Sequence, residues 1–76
     1  MENKRVLKDT RMTLKMAREI KGMTQEYAAK LIGVSVDTLG NYERGKSYPD
    51  IPVLRNIEKV YEIPYDRIIF LSLDFG

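Results

Sequence analysis

A chain of 76 residues makes one domain, and a chain this short buries only about 60% of the surface that its unfolded form exposes, so the core is thin. It contains no cysteine and no histidine, which excludes disulfides and thiolate metal sites and removes the commonest general base and metal ligand. The formal net charge of +2 names no partner, but residues 1–46 hold ten Lys or Arg against six acids while residues 47–76 hold three against five, so the front half suits a polyanion.

Residues 1–9 are polar and charged. Lys4, Arg5 and Lys8 make them a flexible arm, and short charged termini are ordinarily just disordered. They show no apolar stretch of signal-peptide type, and no run in the chain approaches the ~18 apolar residues of a membrane span, so a cytoplasmic protein is expected. The first helical segment runs from Thr10 to Lys21, with Leu14, Met16, Ala17 and Ile20 as its apolar stripe and Gly22 as its stop. The second opens on the N-cap candidate Thr24, carries Tyr27, Ala28, Leu31 and Ile32, and closes at Gly33. The third opens at Ser35 and ends at Gly45. The fourth follows Asp50, tolerates Pro52 in its first turn, and buries Leu54, Ile57, Val60 and Tyr61. Pro64 starts a short fifth segment with Ile68, Ile69 and Leu71. No stretch alternates with period two, so the expectation is an all-α fold of five compact helices over residues 10–70, followed by a tail at 71–76.

Only Gly33-Val34 joins the second and third segments. Two helices linked so tightly cross steeply, which is helix-turn-helix geometry. Gly33 supplies a left-handed or crowded backbone, and Val34 plugs into the core. On the third segment Ser35, Thr38, Leu39 and Tyr42 form one stripe, and Val36, Asp37, Gly40, Asn41 and Arg44 the other. The second stripe has the chemistry of base-edge contact. A Val36 methyl suits a thymine methyl, Asn41 pairs with adenine, and Asp37 accepts from cytosine N4. Asp37 also repels phosphates, which makes it a device against wrong sequences or a sign of weak DNA binding. Gly40 costs about 0.5–1 kcal/mol in a helix interior, so it serves either close backbone approach to DNA or a tight crossing with the second helix.

The run Met23-Thr-Gln-Glu-Tyr-Ala-Ala-Lys-Leu-Ile-Gly-Val-Ser35, then Thr38-Leu-Gly-Asn-Tyr-Glu-Arg-Gly45, resembles the lambda-repressor/Cro-type (Xre-like) helix-turn-helix family. The downstream pattern of Pro49, Leu54, Ile57, Tyr61, Ile63 and Ile68 is similar to its fourth and fifth helices. The resemblance implies that Gln25, Ser35, Arg44 and Lys46 hold DNA phosphates, and that Arg18 and Glu43 form a structural ion pair between the first and third helices. It departs from the family pattern at Ala28, where a larger apolar residue is usual, at Glu58, where a small one is, and at Glu62, where glycine is.

The function implied is that of a small repressor or Cro-like transcriptional regulator. It would bind double-stranded DNA at an inverted-repeat operator as a homodimer, through the helix from Ser35 to Arg44, with no cofactor, no metal and no enzymatic activity. The alternative on the same fold is a protein-interaction module, an antirepressor or antitoxin component. The apolar cluster of Ile69, Phe70, Leu73 and Phe75 reads as a two-fold dimer contact, against the plainer reading that it folds back on the monomer core.

Overall fold

The computed structural model describes residues 11–71. The arm at 1–9, and Leu73 and Phe75 of the proposed dimer contact, lie outside them. Among the described residues four α-helices form: α1 (Leu14–Ile20), α2 (Gln25–Ile32), α3 (Val36–Arg44) and α4 (Ile51–Tyr61). Each begins at a polar side chain that accepts from a backbone N–H three residues on. The pairs are Thr13 with Met16, Thr24 with Tyr27, Ser35 with Thr38 and Asp50 with Val53, at 3.0–3.1 Å.

The five-helix expectation needs correction. After Pro64 only one 3-10 turn forms, Tyr65–Arg67, and the chain then extends as β2 (Ile68–Ile69). This strand pairs in parallel with β1 (Met12–Thr13), Met12 opposite Ile68 and Thr13 opposite Ile69. Two adjacent β-branched residues favour the extended backbone. The alternation is a strand's: Ile68 is buried, Ile69 exposed. The same pairing shortens the first helix, which starts at Leu14 rather than Thr10.

Leu14, Ala17, Ala28, Ala29, Ile32, Leu39, Tyr42, Ile57, Tyr61 and Ile68 make the core. Two expected stripes are rotated from their true faces. α1 buries Leu14, Ala17 and Arg18, and at about 100° per residue this turns Met16 and Ile20 to solvent. α2 buries Ala28, Ala29 and Ile32, which leaves Tyr27 and Leu31 outside. Ala28 is fully buried, so the small residue is what close helix packing accommodates. On α4 the expected face holds, with Ile57 and Tyr61 buried and Leu54 and Val60 half-buried.

The turn between α2 and α3 works through φ alone. Gly33 sits at φ 96°, and a Cβ there would meet nothing within 4 Å, so left-handed backbone is the requirement and crowding is not. Val34 packs against the core while its N–H donates to Ala29 O at 3.0 Å. Asn56 of α4 donates to Ile32 O at 3.1 Å, satisfying an end carbonyl of α2. The other departures are also explained. Glu58 accepts from Tyr65 N at 2.7 Å and so closes the turn after α4. Glu62 is a C-cap at φ 57°, left-handed without being glycine, and Lys21 pairs with its carboxylate and holds its pKa below the usual range. Among the described residues no helix is long and apolar enough to cross a membrane.

Tyr61 is 2% exposed, and its hydroxyl has no hydrogen-bond partner among the described residues. Burial, then the nearby Glu43 charge, push its pKa from 10.0 to about 12. A raised folded-state pKa favours the protonated phenol, so its contribution to stability is complete below pH 10 and is lost as the pH rises towards 12. Urea unfolding followed across that window is expected to show falling stability. Tyr61→Phe is expected to shrink that fall and to cost little at neutral pH, because no bond of the hydroxyl is lost.

Candidate nucleic-acid interface

The site is built around one buried charge pair. Glu43 lies on the inner side of α3, and Arg18 on the inner side of α1; each is 8% exposed. Arg18 Nε donates to Glu43 Oε2 at 2.7 Å, and its Nη2 donates to Oε1 at 3.2 Å. This is the two-point guanidinium–carboxylate fit. The Glu43 hydrogen bond outweighs the burial cost and raises the Arg18 pKa. Arg18 Nη1 also donates to Met23 O at 2.9 Å, fixing the turn before α2. From α2, Gln25 Nε2 donates to Glu43 Oε1 at 2.9 Å. One carboxylate thus ties α1, α2 and α3 in a single orientation.

Gln25 has a second N–H on the same amide nitrogen, so bracing Glu43 and donating to a phosphate are compatible. Its side chain lies at the edge of a shallow cleft lined by Lys15, Arg18, Gln25, Glu43, Arg44 and Leu71. Sequence reasoning missed Lys15 here. The signal was available, since Lys15 stands three residues before Arg18 and so shares its side of α1.

The outer side of α3 is open. Val36 is 36% exposed, and Asp37, Arg44 and Ser35 are exposed, while Asn41 is half-buried. Leu39, Tyr42 and Glu43 turn inward. Ser35 shares a stripe with Leu39 and Tyr42, which are buried, yet is itself exposed. It lies outside, accepting from Thr38 N and donating to Thr38 Oγ1 at 2.9 Å. Asp37 stands in the first turn of α3, where a negative charge favours the helix dipole. Gly40 has no open surface. The nearest atoms to a Cβ there are those of the Arg44 guanidinium, one turn on in the same helix, with Nη1 at 3.1 Å. Arg44 Nη2 donates to Asn41 Oδ1 at 2.8 Å.

The loop after α3 is set by Gly45, at φ 80°. A Cβ there would lie 2.9 Å from the backbone carbonyl of Leu71, so the glycine serves both the backbone conformation and the close approach. Tyr48 donates to Leu71 O at 2.7 Å, and its ring meets Phe70 edge-on at 6.3 Å. Phe70 is therefore half-buried on its own chain, whereas Ile69 and Leu71 are exposed. Lys46 is exposed beside Arg44.

The helix-turn-helix family model matches residues 14–68, more than two thirds of the chain. The chain belongs to the helix-turn-helix family, in its lambda-repressor-like (Xre-like) branch. Among curated proteins this helix-turn-helix chain is similar to the uncharacterized HTH-type transcriptional regulator YazB of Bacillus subtilis (strain 168), at 39% identity over 51 residues covering 67% of this chain and 74% of the relative. It is also similar to the HTH-type transcriptional regulator ImmR of the same organism, at 34% identity over 56 residues, covering 74% of this chain but only 44% of ImmR. No solved structure matches at a significant level.

Replacing Glu43 by Gln leaves Arg18 buried without its counter-charge. Chemical denaturation is expected to show a loss of about 3–5 kcal/mol. The exposed Lys21–Glu62 pair sets the contrast, and Glu62→Gln is expected to leave the unfolding midpoint nearly unmoved.

Proposed function

We propose that this protein is a sequence-specific transcriptional regulator that inserts α3 into the major groove of double-stranded DNA. The observation that carries the reading is the exposed outer side of α3, held at a fixed angle by the Arg18–Glu43–Gln25 network beneath it. Membership of the family supports it, as do two relatives named as transcriptional regulators.

In this reading Val36, Asp37 and Asn41 stand nearest the base edges, and Gly40 between them leaves room for the Arg44 guanidinium to lie along the helix. Gln25, Ser35 and Lys46 hold phosphates on either side, and Arg44 adds charge beside the same strand. Lys15, on the rim of the cleft with Gln25, joins them. Asp37 discriminates against sequences that offer it no donor. The protein binds an inverted repeat as a homodimer, the two copies of α3 about 34–36 Å apart. Exposed Ile69 suits the dimer contact, whereas Phe70 is already engaged by Tyr48.

Binding to a selected operator across a salt series is the test. Lys46→Ala is expected to weaken all sequences evenly and to make the log–log salt slope shallower by about 0.9. Asn41→Ala is expected to lose roughly 1–3 kcal/mol at one base position only. If the purified protein ignores duplex DNA at low salt and co-purifies with a stoichiometric protein partner, the reading gives way to a protein-interaction module.

A further inference from the structure

The loop that presents Lys46 is attached on both sides to one backbone carbonyl. Before Lys46, Gly45 is buried, and a Cβ there would stand 2.9 Å from both the carbonyl carbon and the carbonyl oxygen of Leu71. After it, the Tyr48 hydroxyl donates to the same Leu71 oxygen at 2.7 Å. The Tyr48 ring meets Phe70 edge-on at 6.3 Å, so one side chain holds two consecutive residues of the returning chain. Lys46 N donates to Asn41 O at 2.9 Å, which ties the loop to the end of α3 as well. Lys46 itself is exposed.

The Leu71 carbonyl is in turn a fixed point. Phe70 packs against the core, and β2 just before it pairs with β1. A loop of four residues held at its first and last positions has few backbone conformations left, so a lysine on it loses less freedom when it takes a phosphate.

Tyr48 is 52% exposed, so its hydroxyl could serve DNA directly or through the loop. A tyrosine hydroxyl has one O–H to donate, and a phosphate oxygen only accepts. Committed to Leu71 O, that hydrogen is not offered to a phosphate. We propose that Tyr48 is a positioning residue for DNA binding that acts through Lys46, clamping the loop after α3 to the Leu71 carbonyl. This rests on the reading of Lys46 as a phosphate-holding residue beside a groove-reading α3. Residues 70 and 71, far from α3 in sequence, then contribute to DNA affinity without touching DNA.

A double-mutant cycle on duplex binding tests it. The parent, Tyr48→Phe, Lys46→Ala and the double variant are measured on a selected operator and on an unrelated duplex across a salt series. Tyr48→Phe keeps the ring beside Phe70 and removes only the hydrogen bond of the clamp. It is expected to weaken both duplexes alike by ~2- to 10-fold, the range that one net hydrogen bond carries. The log–log salt slope is expected to become shallower, by at most the ~0.9 of one phosphate contact. In the Lys46→Ala background the same change is expected to leave affinity where it was. Phe70→Leu removes the ring contact of the clamp and is expected to behave in the same way, and it carries the test if Tyr48→Phe does not fold.

Three results overturn the proposal while leaving α3 as the groove reader. In one, Tyr48→Phe binds both duplexes as the parent does. In another, Tyr48→Phe costs the same affinity with and without Lys46, which makes Tyr48 itself the DNA contact. In the third, Lys46→Ala binds as the parent does, so the loop holds no phosphate. A parent that binds no duplex in dilute buffer overturns both readings.

Discussion

The fold depends on the buried contact between Arg18 and Glu43. Burying an ion pair is costly unless both partners are well bonded, and here both are. Glu43 also receives Gln25, and Arg18 also reaches Met23 O, so the pair collects α1, the turn after it, α2 and α3 around one point. In a domain with so small a core, hydrophobic packing alone leaves helix orientation loosely specified. A directional, two-point contact supplies the missing geometry. The residues that face outward on α3 are thereby aimed by a residue that faces inward on the same helix.

The helices themselves are held at their ends. Four polar caps start them, and left-handed residues stop them at Gly33, Gly45 and Glu62. These signals are local and act over three or four residues, so they were legible in the sequence, and the bounds of α2, α3 and α4 followed. So did the turn at Gly33-Val34, whereas the partners of the central ion pair, 25 residues apart, came from the family resemblance alone. Faces were less legible. Ile20, Tyr27 and Leu31 are apolar and at helical spacing, yet they face solvent, because a seven- or eight-residue helix fits two stripes equally well until its neighbours choose one. The segment after Pro64 shows the same limit. Its isoleucines are compatible with helix or strand, and only the nearby Met12–Thr13 backbone makes the strand the better choice.

The site was legible by residue type and not by geometry. Val36, Asp37 and Asn41 were recognisable as base-reading chemistry on an outward stripe, and the structure leaves them accessible. Gly40 belongs to a different arrangement, because which atom lies over a glycine is a fact about side-chain placement that no spacing encodes. Leu71 reaches the cleft for the same reason: the β1–β2 pairing carries the residues after Ile69 back beside α1. The surface that results has a basic rim, a short polar centre and an inner brace. That is the order in which a groove-binding helix meets phosphate, base and its own scaffold.

The most direct test of the central claim is a backbone amide map of the labelled protein titrated with duplex DNA in dilute salt. The account predicts shifts confined to the start of α2 near Gln25, the span from Ser35 to Arg44, and Lys46, with α4 unmoved. Shifts centred on the α4 surface around Ile51 and Arg55, or no shifts at all, would contradict it.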